Sequence, residues 1–546
     1  MKQYNKLLIG FGSLIAIMAT GCKKDFFNRP PENALTVGTY YQTVPQVQAS
    51  TDILYAAPWF GLNGKAFLAI GDLQSGNAVC FPGADGSFSA FANMTEGNAT
   101  QTVESAWNAL YTVIAQSNEL LLNLPGAATS VPVATVNNAL GEAHLMRAAA
   151  YFYLVRQFGN IPIITNPTTD AASFTTVPTN PVTDVYKFIA IDLAFAEANC
   201  TPGVAHTGHG SSASASGLLA KVYLYEQKYD SARIEAEKVI NSGEFGLVGL
   251  DAPGTFTSMF EIPGNNCKES MLALQWTSSS GYGYGNQLQS VIAANSTITG
   301  TGDGYGELGP SWDLQDLFKA EGDVNRRIGT IMLGGDFYPE ITKSAGGYTV
   351  PLSVNSQGVH AAMKKYVVGT PTDNNSQTAA QAASNNTYIL RYADVYLIEA
   401  EAIMGKAAGV SPGNGIDTNS NSSDPTVLKY VNLIRQRAGV TAPLSSVSYK
   451  QLLNERRLEF AIEGDYWYDL QRIDGFNNPH HPVAIGIISA QNRGNSSGAG
   501  TAPNYTDFTR NTLTVIPTDA QFLLPPPATE STADPLLLKP PVPYKF

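Results

Sequence analysis

Residues 142–164, EAHLMRAAAYFYLVRQFGNIPII, constrain this chain more than any other stretch. Apolar or aromatic residues recur at Leu140, Tyr151, Leu154, Val155 and Phe158, with His144 among them, which is helical and amphipathic spacing. Ala148, Ala149 and Ala150 favour helix and let neighbouring helices come close. Gly159 and Asn160 supply a C-terminal stop, and Pro162 forbids continuation. Arg147 shares the face of Leu140, Tyr151 and Leu154, so it requires a carboxylate partner inside. The stretch therefore predicts a long scaffold helix with a sharp exit, and it holds no catalytic pattern.

Other helical periodicities surround it. Helices are expected over 43–55, 103–124, 184–198, 388–404, 427–438 and 449–472, with a helical pair over 211–240. In that pair Leu219, Ala220 and Tyr223 are answered by Ala232, Ala236 and Val239, spacing that fits a tetratricopeptide unit. A strict period of roughly 34 residues is absent, so the pattern reads as a degenerate solenoid with insertions. Residues 56–97 form a long Gly-rich excursion carrying Trp59, Phe60, Phe67, Phe81, Phe88 and Phe91. Residues 245–387 differ from both flanks, with strand-like pieces such as 270–276, many glycines and aromatics in loops. The resulting division is 1–21 as a signal segment, 22–42 as a tether, 43–244 as an N-terminal helical region, 245–387 as a loop-rich inserted subdomain, and 388–546 as a C-terminal helical region and tail. The Pro-rich end, 517–546, is expected to wrap back over the surface. The length of 546 residues, 44% of them hydrophobic, is ample for buried cores, and 50 Gly and 32 Pro suit long ordered loops. A net charge of −12 with no basic patch excludes a nucleic-acid partner.

The N-terminus carries Lys2 and Lys6, then an apolar run from Leu7 to Ala19 that is too short to span a membrane. Ala19, Thr20 and Gly21 precede Cys22, which resembles a bacterial lipoprotein box with the cysteine acylated after cleavage. An ordinary secretory signal is the competing reading; the small residues abutting Cys22 favour acylation, and Lys23 in place of Asp favours the outer membrane. Cys80, Cys200 and Cys267 lack CxxC neighbours and read as buried thiols.

Several runs together resemble the SusD/RagB family. Gly141, Glu142, Ala143, Arg147, Ala148, Tyr151, Phe152, Leu154, Phe158, Gly159 and Pro162 match its "GEA-x-FLRA-x-x-YF" helix and exit. YILRYADVYLIEAEAIMG (388–405), VNLIRQRAGV (431–440) and LLNERRLEFAIEGDYWYDLQRI (452–473) match three further motifs, and CKKDFFNRPPEN and VIPTDAQFLLPP match its start and close. The chain departs from the pattern at Asp465-Tyr466, where the family commonly has an Arg before the aromatic. The resemblance implies a mainly α, degenerate tetratricopeptide-like solenoid with a loop-rich insertion. It also implies a lipid-anchored, surface-exposed outer-membrane protein that captures an oligosaccharide or polysaccharide and delivers it to a SusC-like TonB-dependent transporter, without cofactor. A RagB-like peptide receptor and a tetratricopeptide-type interaction scaffold remain as alternatives.

The residues themselves offer no catalytic set. Glu455, Glu459 and Glu463 stand four apart beside Arg456 and Arg457, which reads as a salt-bridge ladder rather than a glycosidase pair flanking a cleft. His206 with His209, and His480 with His481, lie in loops without metal-ligand spacing. Asp417, Asn419, Asn421 and Asp424 echo a calcium loop, but Ser422 and Leu428 occupy the positions that need Gly and Glu. Gly304, Gly306 and Gly309 spell GxGxxG without a preceding strand, so no dinucleotide site is expected. What remains is aromatic residues in polar loops: Trp276, Tyr282, Tyr284, Tyr305 and Trp312, with Trp59, Phe81 and Phe88 from the early excursion. Flat rings beside amides and hydroxyls suit a carbohydrate, the ring covering the apolar sugar face. Trp276 can instead end a buried strand, and Trp312 can pack at a helix start behind Ser311.

Overall fold

The computed structural model describes residues 40–81, 86–127, 129–166, 177–410, 413–498, 500–503 and 505–546. The signal segment, most of the tether and the acylation at Cys22 lie outside the described residues.

Long helices form the frame: α1 (Gln101–Asn123), α2 (Val133–Phe158), α3 (Val182–Asn199), α4 (Ser212–Tyr225), α5 (Tyr229–Ser242), α6 (Tyr392–Ala407) and α7 (Pro425–Arg437). Each packs mainly on the next, from α1 against α2 through to α6 against α7. The stacking continues from α5 to α6 although residues 243–391 intervene in sequence, as in a solenoid interrupted by an insertion. No helix among the described residues is long and apolar enough to cross a membrane.

The scaffold helix α2 is less one-sided than its sequence spacing. From Ala139 onward nearly every residue is buried, including Glu142, Arg147 and Arg156, because α1 and α3 pack on it and the C-terminal tail crosses its end. Arg147 finds its expected partner in Asp192, with Nε and Nη2 donating to the two carboxylate oxygens at 2.8 and 2.7 Å. Burial alone would raise the Asp192 pKa, but the guanidinium outweighs it and holds the carboxyl below its usual range. Gly159 ends α2 at φ +72°, with the Leu523 side chain packed where a Cβ would stand.

Three expected elements take a different form. Much of the Gly-rich excursion is helix, not loop: residues 60–73 are helical, with π turns at Leu62–Ala66 and Ala69–Leu73, and are largely buried. Its glycines are packing contacts, since a Cβ on Gly71 would overlap the backbone of Gly464. The long helix expected over 449–472 breaks into α8 (Tyr449–Phe460) and α9 (Tyr466–Arg472), because Ile462 and Gly464 adopt φ +63° and +71° between them. The buried Asp72 carboxylate fixes that break, accepting from Ile462 N at 2.9 Å and Gly464 N at 3.0 Å. The segment before α6 is a strand: β1 (Ser270–Leu274) pairs antiparallel with β2 (Thr387–Arg391), tying the insertion to the frame.

The acidic ladder exists, but its cations come from elsewhere. Glu455 meets Arg326 at 2.7 Å and Arg435 at 3.1 Å, Glu459 meets Arg391 at 2.9 Å, and Glu463 meets Lys365 at 2.9 Å. Arg456 turns instead to Asp394 and Asp469, each at 2.8 Å, and Arg457 to Asp313 at 2.5 Å. Burial opposes ionisation of Glu459, yet Arg437, Arg391 and Arg326 hold its carboxyl well below the usual range. Asp465, where the motif departs from the family pattern, accepts Lys221 at 2.8 Å and stands 3.5 Å from Arg156. Cys80 and Cys200 are buried and Cys267 is half-buried. The tail returns as expected, with Leu524 N donating to Gln157 O, Val542 N to Thr179 O and Tyr544 N to Asp184. One apolar cluster runs from Val47 to Leu537, through the frame and the insertion alike.

Candidate functional site

The TSSSGYGYG segment, 277–285, is a closed loop. Thr277 N donates to Tyr284 O at 3.0 Å and Tyr284 N to Gly281 O at 3.2 Å, while Gly281 and Gly283 take φ +74° and +93°. The tight turn leaves no core for its side chains, so Tyr282 is 64% and Tyr284 50% exposed. The Tyr282 ring is propped edge-on by Phe60 at 4.9 Å, and Phe60 in turn meets Trp276 at 6.5 Å. Trp276 itself is buried and donates Nε1 to Thr387 Oγ1 at 3.1 Å.

A polar strip continues from this loop. Asn286 and Ala383 exchange backbone hydrogen bonds at 2.7 and 2.9 Å, and Gln287 Nε2 donates to Gln381 Oε1 at 2.8 Å. Gln381 N donates to Asp303 at 2.7 Å, and Tyr305 N donates to Ser290 O at 2.9 Å. Tyr305 is 52% exposed beside this junction. Burial would raise the Asp303 pKa, but donors from Ser290, Thr301 and Gln381 overcome it and keep the carboxyl below its usual range. Beyond Tyr305, Gln357 Nε2 donates to Gly306 O at 2.8 Å and Gln357 Oε1 accepts from Phe81 N at 3.1 Å. Lys65 reaches Glu307 at 4.0 Å along one margin. Segments 60–65, 277–290, 301–307 and 378–383 thus share one face, with half-buried Phe81 adjoining it.

The structure separates the aromatic candidates by burial. Tyr282, Tyr284 and Tyr305 present rings to solvent on this face. Trp59 is fully buried, donating Nε1 to Leu54 O at 2.7 Å, and Phe88 is fully buried with the Lys65 ammonium 5.6 Å from its ring centroid. Trp312 is also buried, at a helix start (Trp312–Glu321) where Ser311 Oγ accepts from Leu314 N at 3.2 Å. Phe508 stacks on Trp312 at 5.7 Å, and the Arg510 guanidinium lies 4.2 Å from its ring centroid.

The other constellations are structural contacts. His206 lies between the carbonyls of Cys267 and Glu244, and His480 meets Asp519 at 2.9 Å. His481 stacks on Phe522 at 4.0 Å. His209 stands between Glu142 at 2.8 Å and Asp52 at 3.3 Å. Asp424 caps α7 by accepting from Thr426 N at 2.8 Å. No group of three or more His, Cys, Asp or Glu among the described residues is arranged to hold a metal.

Two family profiles match this chain: "SusD family" over residues 340–541 and "Starch-binding associating with outer membrane" over residues 79–224. A SusD-like protein of Bacteroides ovatus is 29% identical over 559 aligned positions, covering 97% of each chain. The chain belongs to the SusD/RagB family. A SusD-like protein of Formosa agariphila is 27% identical, covering 89% of this chain and 93% of its own. A crystal structure determined with a xylogluco-oligosaccharide is 28% identical, with a TM-score of 0.78 over 92% of this chain and 99% of that one. The mainly helical, SusD-like architecture expected from the motifs is the architecture found.

The SusD motifs themselves fall on the frame, in α2, α6, α7, α8 and α9, and not on the aromatic face. Sequence reading missed Phe60 as the prop of Tyr282, and Gln287, Gln357 and Gln381 as the polar connections. No local pattern marks them, because their partners come from remote parts of the chain.

Proposed function

We propose that this SusD-family protein captures an oligosaccharide or polysaccharide on the face of Tyr282, Tyr284 and Tyr305 and hands it to a SusC-like TonB-dependent transporter. The observation that carries this reading is the set of three exposed tyrosines on a glycine-rich, polar surface fixed by backbone hydrogen bonds. Rings held in this way offer flat apolar area to a sugar face at little entropic cost, while the neighbouring amides and hydroxyls can bond its hydroxyl groups. The starch-binding family description and the related structure holding a xylogluco-oligosaccharide support the glycan class. Outer-membrane association follows the same family description, and a lipid at Cys22 would supply the anchor. The protein binds and releases without chemistry, so moderate affinity suits it: a Kd between micromolar and millimolar, about 4–8 kcal/mol.

Isothermal titration of the signal-free chain against a panel of polysaccharides tests this directly. Binding weakened in Tyr282→Ala and Tyr305→Ala supports the reading. Binding to peptides and to no glycan overturns it in favour of a peptide receptor. Recovery of the tagged protein from outer membranes without a large β-barrel partner would count against the transfer step.

A further inference from the structure

The aromatic face is almost free of charge, and the few charges on it favour the negative sign. Residues 277–309 contain two side chains charged at neutral pH, the carboxylates of Asp303 and Glu307, and no Lys, Arg or His. Residues 374–387, NNSQTAAQAASNNT, contain none. These segments supply Tyr282, Tyr284, Tyr305, Gln287 and Gln381, the groups that present rings and amides along the strip. The facing segment 60–66 adds one cation, Lys65, and Glu307 stands 4.0 Å from it.

The cations further out are met in the same way. Arg510 pairs with Asp316 at 2.7 Å. Lys343 donates Nζ to the Asp373 carbonyl at 2.8 Å, beside a carboxylate that itself accepts the backbone N–H groups of Thr342 and Lys343. Asp303 remains ionised, since hydrogen bonds hold its carboxyl below its usual range despite burial. The face thus carries an excess of negative charge within a chain of net charge −12. Recognition of carboxylate or sulfate groups calls for Arg or Lys aimed at the ligand, because desolvated anions need charge-assisted donors. Among the described residues of this face the one such cation is Lys65, and it stands beside the Glu307 carboxylate. Gln, Asn, Ser, Thr and Tyr groups are matched instead to neutral hydroxyls and ring oxygens.

We infer that the ligand is an uncharged polysaccharide, and that the face rejects glycans bearing uronate or sulfate groups. This inference rests on the proposed glycan-capture reading and narrows its substrate class. The continuity of the strip from Tyr282 past Gln287 to Tyr305 and Phe81 suits an extended neutral chain over a single sugar.

Titration of the signal-free protein with neutral β-glucan, xyloglucan, xylan and galactomannan, and with polygalacturonate, alginate and a sulfated galactan, tests the inference. The expected result is heat with one or more neutral polymers and none with the polyanions. The neutral affinity should change by less than about twofold between about 20 mM and about 300 mM salt, since no ion pair is formed. Binding of a polyanion that weakens steeply with salt and is weakened further in Tyr282→Ala and Tyr305→Ala would overturn this inference and leave glycan capture standing. Silence with every glycan, neutral and charged, would overturn both.

Discussion

Trp276 and Tyr282 belong to neighbouring stretches of one loop and do different work. Trp276 is buried against Thr387 and supports Phe60, while Tyr282 stands on Phe60 and faces solvent. Tyr282→Ala and Tyr305→Ala should each weaken polysaccharide binding by about 0.5–1.5 kcal/mol or more, a rise in Kd of roughly two- to tenfold, with an unchanged melting temperature. Trp312→Ala should instead cost about 3–5 kcal/mol of stability, read by chemical denaturation, because Phe508 and Arg510 would face a cavity. Sequence brought out every one of these rings but not which of them are exposed. Exposure depends on partners such as Thr387 for Trp276 and Phe508 for Trp312, and nothing local announces them. His209 carries a separate expectation. The hydrogen bond that it donates to the Glu142 carboxylate raises its pKa against the opposing effect of burial, and the Asp52 charge adds to the rise. Its folded pKa lies above the unfolded value of about 6.5, so its stabilisation is complete below that pH and is lost as pH rises through the folded pKa. The melting temperature should therefore fall as pH rises above about 6.5, and His209→Gln should flatten that slope.

At the scale of elements, the frame was legible and the breaks were not. The helices α1, α3, α4, α5 and α7 lie close to where apolar periodicity puts them, because each packs on a sequential neighbour. The split between α8 and α9 escaped notice because the residues around Ile462 keep helical spacing, while a distant carboxylate, Asp72, holds the turn open. The helix over 60–73 was hidden by its glycines, which usually mark loops and here permit backbone contact. Gly71→Ala should accordingly destabilise by roughly 1–3 kcal/mol in urea titration, since its Cβ would overlap Gly464. Glu459→Gln should cost about 3–5 kcal/mol, because Arg391, Arg437 and Arg326 would be left buried with too little negative charge.

Across the whole molecule, the apolar cluster joins the solenoid frame to the loop-rich insertion without a gap. Calorimetry should therefore show one heat-absorption peak spanning both regions rather than two separable ones. The face that presents Tyr282, Tyr284 and Tyr305 is built on that shared core, with β1 and β2 joining the insertion directly to α6. The returning tail has a further consequence, one of timing. Its residues 524–544 donate backbone hydrogen bonds to the end of α2, to Thr179 and to Asp184 at the start of α3. The end of α2 and the start of α3 are thus closed by residues some 360 positions later in the chain, so those contacts wait until that later stretch has been synthesised.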